Sequence, residues 1–223
     1  MPQSLVGNVL VASTMVTESV FARGVCLMMH HDQDGAIGVM LNRPIWPPPA
    51  ELMKMIIGGP EPEDSDPLPG VEVKKWSGKS RLKLGDVAAV GVDGEPPTPQ
   101  SPSGFVHFGG PLSGPVLAIH ESKALAEAQT GAGIYVAAQK EHLEQLVREK
   151  TSDYRLIIGH AGWSSGQLDR EIEEGRWHVL PATAEMVFGT ETDLWPLLLR
   201  RATGSSLARW VGAPDNAEVL ELN

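Results

Sequence analysis

The chain has 223 residues, 42% hydrophobic and 21% charged, a balance that supports one full core and excludes a disordered chain. Its formal net charge of -10 repels phosphate backbones and anionic lipid, so binding to DNA or to a membrane surface is disfavoured. A single cysteine, Cys26, excludes an intrachain disulfide and a cysteine zinc cluster.

That cysteine usage fits a reducing, cytoplasmic setting. The opening Met-Pro-Gln-Ser-Leu has neither a basic n-region nor an apolar h-region. No segment reaches the roughly 18 apolar residues of a membrane span.

In chain order, Val9–Ala12 predicts a short buried strand. Gly24–His31 and Ala36–Asn42 flank Asp32-Gln33-Asp34-Gly35, a hairpin signal because glycine accepts the backbone angles of a tight turn. Both runs are apolar at successive positions, which predicts central strands covered from two sides. Asn42-Arg43-Pro44 ends the hairpin, since proline removes an amide donor. Three prolines precede a short helix over Ala50–Ile57, and an acidic, proline-rich run follows to Gly70.

Val71–Leu84 predicts an exposed hairpin about Ser77-Gly78, bearing Lys74, Lys75, Lys79, Arg81 and Lys83 around Trp76. With the proline-rich loop over 95–102, residues 47–103 form an elaboration on a single-domain body. Gly104–Gly110 and Pro115–His120 predict strands, Ser122 caps a helix running to Gln129, and Gly133–Ala137 predicts another strand. Lys140–Lys150 puts Leu143, Leu146 and Val147 on one stripe of an amphipathic helix. A strand over Tyr154–Gly159 leads into Gly162-Trp163-Ser164-Ser165-Gly166. Beyond it lie a strand over Arg176–Leu180, a short helix from Thr183, and a helix capped by Thr190 or Thr192 that ends at Gly204. Interleaved strands and helices without a βαβ rhythm give an α+β class.

Four segments in this order carry a resemblance: G-N-V-L-V-A-S, H-H-D-Q-D-G-A-I-G-V-M-L-N-R-P, F-G-G-P-L-S-G-P-V-L-A-I-H and G-H-A-G-W-S-S-G-Q-L-D-R-E-I-E-E-G-R-W. They resemble the AlgH/YqgE family of bacterial proteins over about residues 7–44 and 104–204. The resemblance implies one α+β domain with a branched, barrel-like mixed β-sheet surrounded by helices. It implies no established reaction, although family members carry the label of transcriptional regulator. His160 stands where the family has an aromatic residue, Asp169 replaces a Glu, and Ser164-Ser165 replaces a Gly-Pro type pair.

Gly162–Gly166 also fits G-x-S-x-G, the turn that presents a hydrolase serine. Such a triad needs an acid and a histidine later in the chain, and only His178 follows. The structural alternative makes Ser164 a helix N-cap with Gln167 completing a capping box, Gly175 just past the C-terminus, and Leu168 with Ile172 as the buried pair. His30, His31, Asp32 and Asp34 suggest a metal, yet the spacing fails as a calcium loop because Leu41 stands where an acid is needed. Cys26 shares a strand face with Met28 and His30 on simple alternation, and its apolar neighbours make it a buried hydrophobe.

The sequence therefore predicts a binding module without chemistry of its own and without a cofactor, whose partner is a small molecule or another protein. The candidate binding residues are His31, Asn42, Arg43, His120, His160, Gly162, Trp163, Ser164 and Gln167, with no catalytic residue and no metal ligand. The alternatives are a weak hydrolase using Ser164 or a metal near His31, and a regulator contacting DNA through the Lys74–Lys83 hairpin. Oligomeric state is left open.

Overall fold

The computed structural model describes residues 4–17, 20–45, 48–57, 106–150, 152–189 and 194–211. In chain order the strands are β1 (Asn8–Ala12), β2 (Val25–Asp32), β3 (Gly35–Met40), β4 (Pro44–Ile45), β5 (Val106–Phe108), β6 (Leu117–His120), β7 (Ala128–Gly131), β8 (Ile134–Ala137), β9 (Tyr154–Ile158), β10 (Ala161–Ser164) and β11 (Trp177–Pro181). The α-helices are α1 (Ala50–Ile57), α2 (Lys140–Glu149), α3 (Gln167–Glu173), α4 (Ala184–Phe188) and α5 (Leu194–Val211). One sheet has the order β10-β3-β2-β1-β11 and the other β4-β5-β9-β6-β8-β7. Every pairing is antiparallel except β5 with β9.

Pleat alternation sends the two faces of each sheet into different cores. Val9, Val11, Leu27, Val39 and Leu41 of the first sheet meet Ile119, Val136 and Ile157 of the second, and Val187 and Leu198 of the last two helices join them. The outer face of the first sheet, through Leu10, Cys26, Met28 and Met40, packs on Leu168 of α3. The outer face of the second, through Ala118, Leu156 and Ile158, is covered by Leu52 and Ile56 of α1 and by Leu143, Leu146 and Val147 of α2. Double coverage is why β2 and β3 read as unbroken apolar runs. The helix at the start of the segment 47–103 belongs to the packed body.

The sheets are stitched together at two seams. At one, Met40 N–H donates to Gly109 O at 2.8 Å and Phe108 N–H to Arg43 O at 2.8 Å. There the Arg155 guanidinium crosses from β9 to the Leu41 carbonyl at 2.7 Å. Burial lowers its pKa to about 10, against the pull of nearby Asp153. At the other seam the Thr130 hydroxyl of β7 donates to Met28 O of β2 at 2.7 Å. The result is one α+β domain, barrel-like but not a closed barrel. No helix among the described residues is long and apolar enough to cross a membrane.

Several local expectations change. Ser122 starts no helix to Gln129; a single 3-10 turn over Lys123–Leu125 gives way to β7, which folds back on β8. The ladder and the Thr130 contact satisfy that backbone better than an isolated helical turn would, so tertiary pairing overrides propensity. α5 runs through Gly204 to Val211, because a helical glycine costs only about 1 kcal/mol and does not by itself stop a helix. The 71–84 hairpin, the proline-rich loops over 61–70 and 95–102, and Thr190 and Thr192 lie outside the described residues.

The β2–β3 hairpin forms as read, with Asp32 Oδ1 accepting the Asp34 and Gly35 N–H groups at 2.8 and 3.2 Å. A bulge between Met28 and His30 interrupts its ladder: Met28 faces Gly38, but His30 faces Ile37. The extra residue, Met29, turns over every later side chain of β2. His30 therefore leaves the face of Cys26 and Met28, and His31 takes that face opposite Ala36, correcting the alternation read from sequence.

Candidate functional site

The segment Ala161–Ser164 is a strand, not a loop, and forms the edge of the first sheet beside β3. Ala161 and Trp163 point inward while Gly162 and Ser164 are exposed. The chain then turns through Ser165 and Gly166 into α3. Ser164 is not its N-cap: that position is Gly166, with φ +64, and the first helical residue is Gln167. Half of the expected capping box survives, because Gln167 Oε1 accepts both the Ser164 N–H and the Ser164 hydroxyl at 3.1 Å. At the other end Gly175 N–H donates to Ile172 O and Arg176 N–H to Glu171 O, each at 2.9 Å. This is the Schellman closure that a left-handed glycine permits, and Gly175 has φ +75.

That closure sends the chain directly into β11 and brings Trp177 back beside Trp163. The two indoles stand edge to face, 6.0 Å between centroids at 81°. Phe21, from the turn before β2, adds a third ring, 6.1 Å from Trp177 at 77° and 6.4 Å from Trp163 at 32°. Trp163 and Trp177 are buried yet carry N–H groups that need partners. Both donate to Glu171 Oε2, at 3.0 and 2.8 Å, and the Gln167 amide donates to Glu171 Oε1 at 2.9 Å. One carboxylate on α3 thus organises two strands and its own helix. Around it lies a cavity of about 160 Å³ lined by Val16, Phe21, Gly162, Trp163, Gln167, Glu171, Arg176 and Trp177.

Of the residues expected from sequence, Gly162, Trp163 and Gln167 line this cavity, and Ser164 is hydrogen-bonded to Gln167 beside it. His31 supports α3 from below: its Nε2 lies 3.6 Å from Asp169 Oδ1 and its Nδ1 accepts the Leu5 N–H at 3.2 Å. Asn42 and Arg43 act on the wall that carries Phe21. Asn42 Nδ2 donates to Arg23 O at 2.8 Å and its Oδ1 accepts the Val25 N–H at 2.9 Å. Arg43 donates to Asn42 O and Ala22 O, and burial lowers its pKa.

His160 shapes the corner through its backbone, exchanging hydrogen bonds with Leu112 at 2.9 and 3.0 Å, and burial lowers its imidazole pKa. Leu112 comes so close to Gly162 that a β-carbon there would stand 2.7 Å from its Cδ1. His120 is elsewhere. It follows Ala118 on the outer face of the second sheet, so both sheets separate it from the cleft.

The chemistry of a serine hydrolase finds no geometry here. His178 sits on β11, at the opposite edge of the sheet from β10. The Ser164 hydroxyl instead donates to Gln167 Oε1, with no histidine as its partner. Cys26 is fully buried, and desolvation raises its thiol pKa far above the ordinary range. His30 pairs with Asp32 at 2.9 Å while His31 turns to Asp169, so the histidine pair diverges. Among the described residues no three His, Cys, Asp or Glu side chains converge on a metal position.

Sequence reasoning missed Phe21, Glu171 and Trp177. Glu171 sits in the run E-I-E-E, which reads as a solvated helix face. The available signal was the pair of tryptophans flanking α3, whose buried N–H groups demand an acceptor between them.

Fold and cleft together define a two-sheet α+β protein with an aromatic, carboxylate-centred pocket where its edge strand meets α3. A family model described as AlgH-like, DUF179, matches residues 9–206, and the chain belongs to that family. It is 29% identical over 205 residues to a UPF0301 protein of Chlorobium luteolum, covering 89% of this chain and 86% of the relative. To a UPF0301 protein of Thermobifida fusca it is 30% identical over 203 residues, covering 90% and 88%. The solution structure of the AlgH protein from Pseudomonas aeruginosa matches with a TM-score of 0.60 at 18% identity over 95% of both chains. The crystal structure of protein DIP2367 from Corynebacterium diphtheriae matches with a TM-score of 0.59 at 22% identity, covering 90% of this chain and 88% of that one. Both structural likenesses concern the fold.

Proposed function

We propose that this AlgH-like chain is a cytosolic binding module without covalent chemistry, and that it receives its ligand in the cleft beside Trp163. The observation that carries the reading is the cavity of about 160 Å³ walled by Phe21, Trp163 and Trp177 with the Glu171 carboxylate among them. A pocket with apolar walls and a few converging polar groups is the usual form of a small-ligand site. Rigid elements supply its walls: an edge strand, a helix closed at its C-terminus, and a turn fastened by Asn42 and Arg43. The Ser164 hydroxyl, engaged by Gln167 Oε1, and the buried Cys26 thiol weigh against a nucleophile.

The same cleft suits the anchoring side chain of a protein partner, so the test must admit both kinds of ligand. Tryptophan emission and melting temperature are measured against a panel of metabolites and against short peptides. A saturable change that Trp163→Phe weakens supports the reading. No response from any compound or peptide class removes it.

A further inference from the structure

Resting on that reading, we infer that the cleft selects an organic cation: a quaternary or alkylated ammonium head, borne by a small molecule or a side chain. Three features of the pocket point this way. The indole N–H edges of Trp163 and Trp177 are both turned to Glu171 Oε2, at 3.0 and 2.8 Å, which assigns the electron-poor edges to the carboxylate. Those edges are therefore taken, and what the rings retain for a guest is π-face. Indole is the best cation-binding face among the side chains, and donating a hydrogen bond to an anion enriches the ring further.

The second feature is arrangement. Trp177 crosses Trp163 at 81° and Phe21 at 77°, while Phe21 and Trp163 are tilted by 32°, so the three rings present walls on different sides of the pocket. Walls on different sides suit a compact, roughly spherical cationic head group of the kind that aromatic cages bind. The third is size. About 160 Å³ is well below the roughly 300–1,000 Å³ of sites that enclose a drug-sized molecule, so the pocket takes a head group and leaves the remainder of its bearer outside.

Charge adds one favourable and one opposing contribution. Glu171 attracts a cation, and the net charge of -10 draws cations to the surface generally. Arg176, which also lines the cavity, offsets part of the Glu171 attraction. The two groups consequently give a signature of opposite signs. Removing the Glu171 charge weakens a cation; removing the Arg176 charge strengthens it; neither change affects a neutral guest.

The experiment uses the full chain, choline as the cation and 3,3-dimethylbutan-1-ol as its neutral isostere. Binding is read from tryptophan emission and from the indole N–H resonances of Trp163 and Trp177. The expected result is saturable binding of choline, about tenfold tighter than the neutral alcohol. Glu171→Gln keeps an acceptor for the indoles and should weaken choline about tenfold, while Arg176→Gln should tighten it severalfold. Because misfolding does not tighten binding, the Arg176→Gln arm stands even if Glu171→Gln is unstable. Equal affinity for choline and the alcohol overturns the cation assignment while leaving the binding reading intact. Absence of binding by both choline and tetramethylammonium overturns it as well, and the metabolite and peptide panel then judges the broader reading separately. Weaker choline binding on Arg176→Gln would mean that Arg176 supports the cleft and does not oppose a cation there, and it also overturns the assignment.

Discussion

His120 offers a test of how firmly the second sheet is covered. It ends β6, has no exposed surface, and lies opposite Tyr135 of β8 and Tyr154 of β9. Burial is the main reason that its pKa falls from the ordinary 6.5 to about 4; repulsion from His142 adds to this, and Glu127 and the Ser122 backbone oppose it. An imidazole whose pKa is lower folded than unfolded takes up its proton on unfolding, so its contribution acts against the folded state only as pH falls. Stability is unaffected above about 6.5 and declines as pH drops from 6.5 toward 4.

Integrating the linkage between pH 7 and pH 5 gives a loss of about 2 kcal/mol, rising toward about 3 kcal/mol at pH 4. That is a large part of the roughly 5–15 kcal/mol that holds a domain folded. Urea denaturation at pH 7, 6 and 5 should show this decline, and His120→Phe should remove most of it. The difference between the two proteins isolates His120 from carboxylates titrating in the same range. Parallel curves for wild type and His120→Phe would refute the account of a buried, neutral imidazole.

Three other predictions test the cleft and its surroundings. Glu171→Ala leaves the buried N–H groups of Trp163 and Trp177 without their acceptor and should cost about 2–4 kcal/mol in urea denaturation, with Glu171→Gln costing less than half as much. Ser164→Ala removes one exposed hydrogen bond and should change stability by less than about 0.5 kcal/mol; the wild-type protein should form no adduct with a fluorophosphonate probe, and labelling at Ser164 would reinstate the hydrolase. Gly38→Ala places a β-carbon 2.6 Å from Cys26 Sγ and 3.0 Å from Leu27 O. It should destabilise by about 1–3 kcal/mol, with part of the loss recovered in the Gly38→Ala, Cys26→Ala double variant.

Most of the fold was legible because its signals are local. The period of Leu143, Leu146 and Val147 marks α2, and Thr183 caps α4 by accepting the Met186 N–H at 3.3 Å. Gly175 ends α3 where a left-handed residue was expected. The apolar runs of β2 and β3 announced strands buried on both faces, and the family resemblance carried the barrel-like sheet with its surrounding helices. Where the reading failed, a distant partner had decided. Residues 128–131 became a strand because β8 and Met28 were there to pair with them. Ser164 was displaced from the N-cap because the edge of β3 extended β10 through it.

The candidate site shows the same division. Trp163 and Gln167 could be singled out from their own segment, since a strand running into a helix places both at one corner. Glu171 could not, because its role depends on two indoles brought together by a sheet edge on one side and a Schellman turn on the other. Nor could the face of His31, which the bulge at Met29 reverses. Sequence alone determined which segments bury apolar surface, because burial is paid residue by residue in side-chain chemistry. Only the tertiary structure decided which faces meet, because a single unpaired residue in a ladder inverts all that follow it, and no local preference records that choice.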